Sequence, residues 1–134
     1  MTSPNIEVVR RGYEAMRRRD IDEVLRDCDP DIVFVSLVGQ VEGKVYEGHQ
    51  GIRDFFYDLL GAWELWLPQP QQFEEVGDAV LVTGTSQLRG KGSGLEMTVP
   101  WGQLFRLRAG KVVWCRIYSD RAEARREFEA TKAT

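Results

Sequence analysis

His49 is the single histidine of the chain, and it is the one side chain able to shuttle a proton near neutral pH without help from its surroundings. It stands in Gly48-His49-Gln50-Gly51, at the start of a predicted helix. Two readings stay open: a capping or solvated residue at that helix start, or a pocket residue if the segment 39–48 folds over a mouth. Cys28 and Cys115 lie far apart in sequence and form no metal-like spacing. With one histidine beside them, a zinc site is not expected, and both read as free thiols of a reducing compartment. Gly90-Lys91-Gly92-Ser93-Gly94 lacks the glycine spacing and the strand-to-helix context of a phosphate-binding loop. It reads as a hairpin tip, and no cofactor is called for. Trp63, Trp66 and Trp101 are either ordinary core or a flat aromatic wall for a ring-bearing ligand.

Positioning any such group takes a core, and 134 residues suffice for one domain, read here as residues 1–134. The hydrophobic fraction of 43% and charged fraction of 29% are those of a globular chain. A formal net charge of −3 speaks against a nucleic-acid surface. The run Arg17-Arg18-Arg19 reads as the basic end of a helix, where cations meet the negative pole of the macrodipole. Neither an apolar leader nor a membrane-length segment is legible, so a cytoplasmic protein without membrane partners is expected.

Ser3-Pro4 reads as a helix start, with Ile6, Val9, Tyr13 and Met16 as its apolar stripe. Asp20 opens a second short helix that buries Ile21, Val24, Leu25 and Cys28 and ends at Asp29-Pro30-Asp31. Ile32 to Val38 reads as a strand, and Gly39 to Gly48 as a hairpin excursion or a pocket-edge loop. A third helix is expected from Gln50 to Trp63, closed by Pro68 and Pro70. Four strands follow, Gln71–Val76, Ala79–Leu88, Leu95–Leu107 and Val112–Ser119, separated by glycine turns. A last helix capped by Asp120 ends near Ala130. Helices first and meandering strands afterwards indicate an α+β fold.

That order, with three local motifs, resembles the nuclear transport factor 2-like superfamily and within it the SnoaL-like and ketosteroid-isomerase-like group. The first motif is Tyr13-Glu14-Ala15-Met16, followed by Asp20-Ile21-Asp22 and Asp29-Pro30-Asp31-Ile32-Val33. The second runs from Tyr46-Glu47-Gly48-His49 to Asp54-Phe55-Phe56. The third is Leu104-Phe105-Arg106-Leu107-Arg108-Ala109-Gly110-Lys111-Val112-Val113, then Tyr118-Ser119-Asp120 and a helix. The resemblance implies a conical, curved, mostly antiparallel sheet wrapped around the N-terminal helix. It implies a small apolar ligand in the mouth of the cone and a homodimer through the sheet's outer face.

The group's isomerases use an aspartate base with a tyrosine and a protonated aspartic acid as oxyanion donors. In the register of the first motif the base position falls on Ser36, and a serine without a neighbouring base accepts no proton near neutral pH. The tyrosine position falls on Gly12, leaving Tyr13 about 100° further round the helix and its direction open. The second donor falls on Gln103, whose amide donates hydrogen bonds but is no acid. Steroid isomerisation of the usual kind is therefore not expected. Arg116 and Asp120 form no hydrolytic relay if Cys115, Ile117 and Ser119 face the cup, because alternation then turns Arg116 outward with Trp114 and Tyr118. Those three suit a dimer interface.

The expected function is a small-molecule pocket protein acting on a polyketide- or terpenoid-like compound by isomerisation, cyclisation or dehydration. Tyr13, Ser36, His49 and Gln103 are its polar candidates. The lining is expected from Met16, Phe34, Phe56 and Trp63, and on the last two strands from Trp101, Phe105, Cys115 and Ile117. A non-catalytic binder with the same cup is the alternative, as is an interaction module whose cup is filled by its own side chains.

Overall fold

The computed structural model describes residues 3–38 and 41–132. Helix α1 (Pro4–Arg17) starts as its sequence dictates: Ser3 Oγ accepts from the Ile6 N–H at 3.1 Å, and Pro4 occupies the first turn. Asp20 caps α2 (Ile21–Arg26) by accepting from the Glu23 N–H. The chain then enters β1 (Cys28–Val38), so Cys28 opens a strand and does not close the helix. Pro30 is tolerated there because it falls in the irregular stretch of the β1–β6 ladder between Cys28 and Val33. β2 (Val41–Glu47) returns antiparallel to β1, so the excursion after Val38 is a hairpin. Gly39, where the sequence reading begins that excursion, lies outside the described residues.

Helix α3 (Gly48–Ala62) sits on β2, close enough that a Cβ at Gly51 would lie 2.8 Å from the Tyr46 backbone. The main departure from expectation follows it. No loop closes α3; β3 (Trp63–Val76) begins at the next residue and runs through both Pro68 and Pro70. The sheet order is β2-β1-β6-β5-β4-β3, which leaves β3 on an edge where prolines need not donate to a ladder. The β3–β4 register shifts beside Pro70. Strands β4 (Ala79–Gly90), β5 (Glu96–Arg108) and β6 (Lys111–Tyr118) follow antiparallel, and β6 closes on β1 in parallel.

The six strands form one open mixed sheet of an α+β fold. Its inner face curves around α1 and α3, and Val9, Tyr13, Phe55, Phe56, Val80, Val82 and Leu107 belong to one core. On the outer face α4 (Arg121–Lys132) buries a second, smaller core of Ala79, Leu81, Leu104, Tyr118, Ala124 and Phe128. Asp120 caps α4, accepting from the Ala122 N–H at 2.8 Å, and Arg121 donates to the Gly84 carbonyl at 2.7 Å. Among the described residues no helix is long and apolar enough to cross a membrane.

Candidate ligand cavity

A cavity of about 410 Å³ opens between α1, α3 and the concave face of the sheet. Its floor follows from strand alternation. On β5 the inward positions are Trp101, Gln103 and Phe105, and on β6 they are Cys115 and Ile117. Phe34 on β1, Phe56 on α3, Met16 on α1 and Trp63 at the start of β3 complete the lining expected from the sequence. Trp66, Leu88, Met97, Val99 and Pro100 extend the wall toward the β4–β5 hairpin. Met97 is 40% exposed, which marks that end as the rim.

Tyr13, whose direction the register left open, lines the cavity. It is buried against the cavity, and its hydroxyl donates to Gln103 Oε1 at 2.5 Å. The gapless register erred in treating only one helical position as inward. Gly12 and Tyr13 both line the cavity. Gln103 is therefore engaged by Tyr13, and the Trp101 indole N–H has no hydrogen-bond partner among the described residues. The Tyr13 ring stacks on Trp101 with centroids 5.7 Å apart and planes at 23°, and meets Phe105 and Phe73 edge-on.

Burial pushes the Tyr13 phenol well above its ordinary range, and the neighbouring Cys115 adds to the shift. Burial also pushes Cys115 far up, with Cys28 adding to it and the Gln103 amide working against it. The Cys28 thiol, raised chiefly by burial, lies at about 11. All three groups are neutral around pH 7, so this end of the cup is polar but uncharged. Of the carboxylates among the described residues only Asp27 borders the cavity, and Arg11 pairs with it at 3.3 Å.

Two of the expected polar candidates stand apart. His49 is absent from the lining; its Nε2–H donates to the Cys28 carbonyl at 2.9 Å and ties the start of α3 to the start of β1. Ser36 shares the face of β1 with Phe34 and is fully buried, yet it lies outside the lining, and its Oγ has no partner among the described residues. The outward row is also altered. Trp114 and Arg116 are half-buried on the outer face, but Tyr118 is covered by α4, with the Arg116 guanidinium 4.9 Å over its ring. Asp120 serves as a helix cap. Among the described residues no group of three His, Cys, Asp or Glu side chains is placed to hold a metal ion. Ser86, buried on β4, is a polar lining residue that sequence reasoning missed. It lies in Thr83-Gly84-Thr85-Ser86-Gln87, a run without a large apolar residue, so hydrophobic alternation carried no signal there.

Residues 9–115 match the model of the SnoaL-like domain. No curated protein matches the chain. Among solved structures, an NTF2-like protein of unknown function from Burkholderia pseudomallei K96243 is 27% identical, with a TM-score of 0.81 over 93% of this chain and 97% of that one. TerC, co-crystallized with polyporic acid, is 28% identical, with a TM-score of 0.80 over 95% of this chain and 99% of its own. A protein with a ketosteroid isomerase-like fold from Catenulispora acidiphila, solved in complex with trimethylamine, is 18% identical at a TM-score of 0.75 over 84% of each chain.

Proposed function

Because the chain belongs to the SnoaL-like domain family, we propose that its cup holds one small, mainly apolar molecule and that the Tyr13–Gln103 pair orients it. The observation that carries this reading is the open cavity of about 410 Å³ with aromatic walls and one uncharged polar corner. Ligand pockets are commonly built this way, apolar with a few fixed polar groups. A core collapsed on its own side chains would have favoured an interaction module. The 28% identity to TerC, co-crystallized with polyporic acid, makes that compound the first probe.

Gly12 provides the control. It borders the cavity, and a Cβ added there meets nothing within 4 Å. Gly12→Leu therefore occupies open space while improving helix propensity by roughly 0.5–1 kcal/mol. Isothermal titration with polyporic acid is expected to give saturable binding to the unaltered chain and none to Gly12→Leu, whose melting temperature does not fall. Failure of the unaltered chain to bind polyporic acid and a panel of polyketide- and terpenoid-like rings would overturn the reading.

A second reading is favoured by the Tyr13 hydroxyl in the wall: cofactor-independent isomerisation, cyclisation or elimination of the bound compound. Such an enzyme would act through preorganised donors more than through a strong base. Its mark is product formation that Tyr13→Phe abolishes while binding persists. Pairing of two copies through the outer face beside Trp114 and Arg116 belongs to the same proposal. A monomer by light scattering at every concentration tested would remove that part.

A further inference from the structure

Strand β4 brings to the inner face a hydroxyl that the fold leaves unused. Alternation sets Ser86 on the same face as Val80 and Val82 of the inner core and Leu88 of the cavity wall. Its neighbours in the sheet register are Pro68 on β3 and Val99 on β5, which both line the cavity and carry no polar side-chain atom. Ser86 Oγ has no hydrogen-bond partner among the described residues. The Ser36 Oγ and the Trp101 indole nitrogen are unpartnered as well, but both atoms are sealed off, whereas Ser86 Oγ keeps accessible surface. Because Ser86 lines the cavity and is only 5% exposed, that surface opens into the cup. A reachable, unpaired hydroxyl in an apolar wall is a polar group of the kind that fixes a ligand's orientation. Its place is near the mouth: the next inward pair is Leu88 and Met97, and Met97 forms the rim. The Tyr13–Gln103 pair lies at the other end, for Gln103 faces Val82, about 13 Å from Ser86 along the strand. Between the two, Gly84 faces Trp101, whose ring lines the cavity.

We infer that Ser86 is the second polar anchor of the cup, so that the ligand lies lengthwise along β4 and β5 with one oxygen at Tyr13–Gln103 and another at Ser86. This rests on the pocket reading above and narrows it. The ligand class is an elongated ring compound with an oxygen function at each end and an apolar middle laid against Trp101. A serine hydroxyl both donates and accepts, so Ser86 takes a phenol, an alcohol or a carbonyl oxygen. A compound of the same shape with a single oxygen leaves one anchor unpaired and is discriminated against.

The test pairs 4,4′-dihydroxybiphenyl with 4-hydroxybiphenyl, which differ only in the second hydroxyl, in isothermal titrations. The unaltered chain is expected to bind the dihydroxy compound about tenfold more tightly, the worth of one hydrogen bond to a group otherwise left unpaired. In Ser86→Ala, which removes only the unpaired hydroxyl, that ratio is expected to fall to about one. Ser86→Cys keeps the side chain's size with only a weak donor, and carries the same expectation should the alanine variant not fold. Gly12→Leu, which occupies the cup, is expected to abolish binding of both compounds and so places them inside it. Equal affinity of the two compounds for the unaltered chain, or a ratio that both Ser86 variants leave unchanged, overturns the inference and leaves the pocket reading standing. Binding of neither compound overturns it as well, and takes the pocket reading with it when polyporic acid and the ring panel also fail.

Discussion

Along β5 the inward residues Trp101, Gln103 and Phe105 border an open cavity, whereas their outward neighbours Gly102 and Leu104 meet α4 with no space between. A Cβ at Gly102 would lie 2.7 Å from the Ala124 Cβ. The β4 strand divides in the same way, with Val80 and Val82 in the inner core and Ala79 and Leu81 in the outer one. One ladder of strands thus serves two kinds of packing. The outer face is small, closed and complementary, as a stabilising core should be. The inner face keeps a void and sets neutral polar groups at its edge, which weakens packing and creates room for a ligand. On the function proposed above, recognition is confined to one side of a sheet whose other side is wholly packed.

The sharpest way to break that comparison is to remove a large side chain from the closed face. Phe128 is 1% exposed in the outer core, and Phe128→Ala is expected to cost about 3–5 kcal/mol. Met16, half-buried beside the inner void, has fewer neighbours to lose, and Met16→Ala should cost roughly 2 kcal/mol, the low end of its class. Urea unfolding measures both. Equal losses would mean that the inner face is packed as tightly as the outer one.

Alkaline pH loads three buried groups of the inner face, and in the outer one Tyr118, which burial also raises. Cys28, Cys115 and Tyr13 are all raised chiefly by burial, Cys28 from an ordinary 9.0 to about 11. Each is neutral when protonated, and the unfolded chain releases these protons first. Their stabilisation is therefore complete below about pH 9, the ordinary cysteine value, and is lost as pH rises toward the folded values. The slope is about 1.4 kcal/mol per pH unit for each group in its window. Chemical denaturation at a series of alkaline pH values should show this fall, and Cys115→Ala should make it shallower. An unchanged slope in that variant would place Cys115 in a more solvated site than its burial implies.

A third comparison concerns the polar pair itself. Tyr13→Phe leaves Gln103 Oε1 without its donor at an apolar wall, at an expected cost of about 1–3 kcal/mol. Gln103→Met strands the Tyr13 hydroxyl in the same way. The double variant should recover part of the sum, because neither partner is then left unsatisfied. Strict additivity in a thermal double-mutant cycle would show that the two groups do not depend on one another.

Much of this architecture is written locally in the chain. The Ser3-Pro4 start of α1 and the Asp120 cap of α4 depend on neighbouring residues only. Most of the lining of β5 and β6 follows from alternation once one inward residue is known, with Pro100 and Val112 as its exceptions. What the sequence concealed depends on neighbours distant in the chain. Pro68 and Pro70 look like helix terminators, and only the sheet order, which puts β3 on an edge, makes them strand residues. Tyr13 faces inward with the rest of the stripe Ile6, Val9 and Met16, and only the register taken from the resemblance leaves its direction open. Alternation turned Tyr118 outward correctly but could not reveal that α4 covers it. His49 is taken up by the Cys28 carbonyl, a contact between α3 and the start of β1 that separation in sequence hid.

Ser36 tests the comparison at its finest scale. It lies on the cup-facing side of β1, fully buried yet outside the cavity, and its Oγ is unpaired among the described residues. A hydroxyl in such a place contributes no hydrogen bond to set against its desolvation. Ser36→Ala removes one polar atom and opens a space smaller than a methyl group. The expected result is a gain of up to about 1 kcal/mol in urea unfolding, with ligand affinity unchanged. A loss of stability would mean that the hydroxyl is bonded in solution, and a loss of affinity would extend the recognition surface from β5 to β1. The sign of this small effect therefore decides whether the boundary between the packed and the open part of the inner face falls between Phe34 and Ser36.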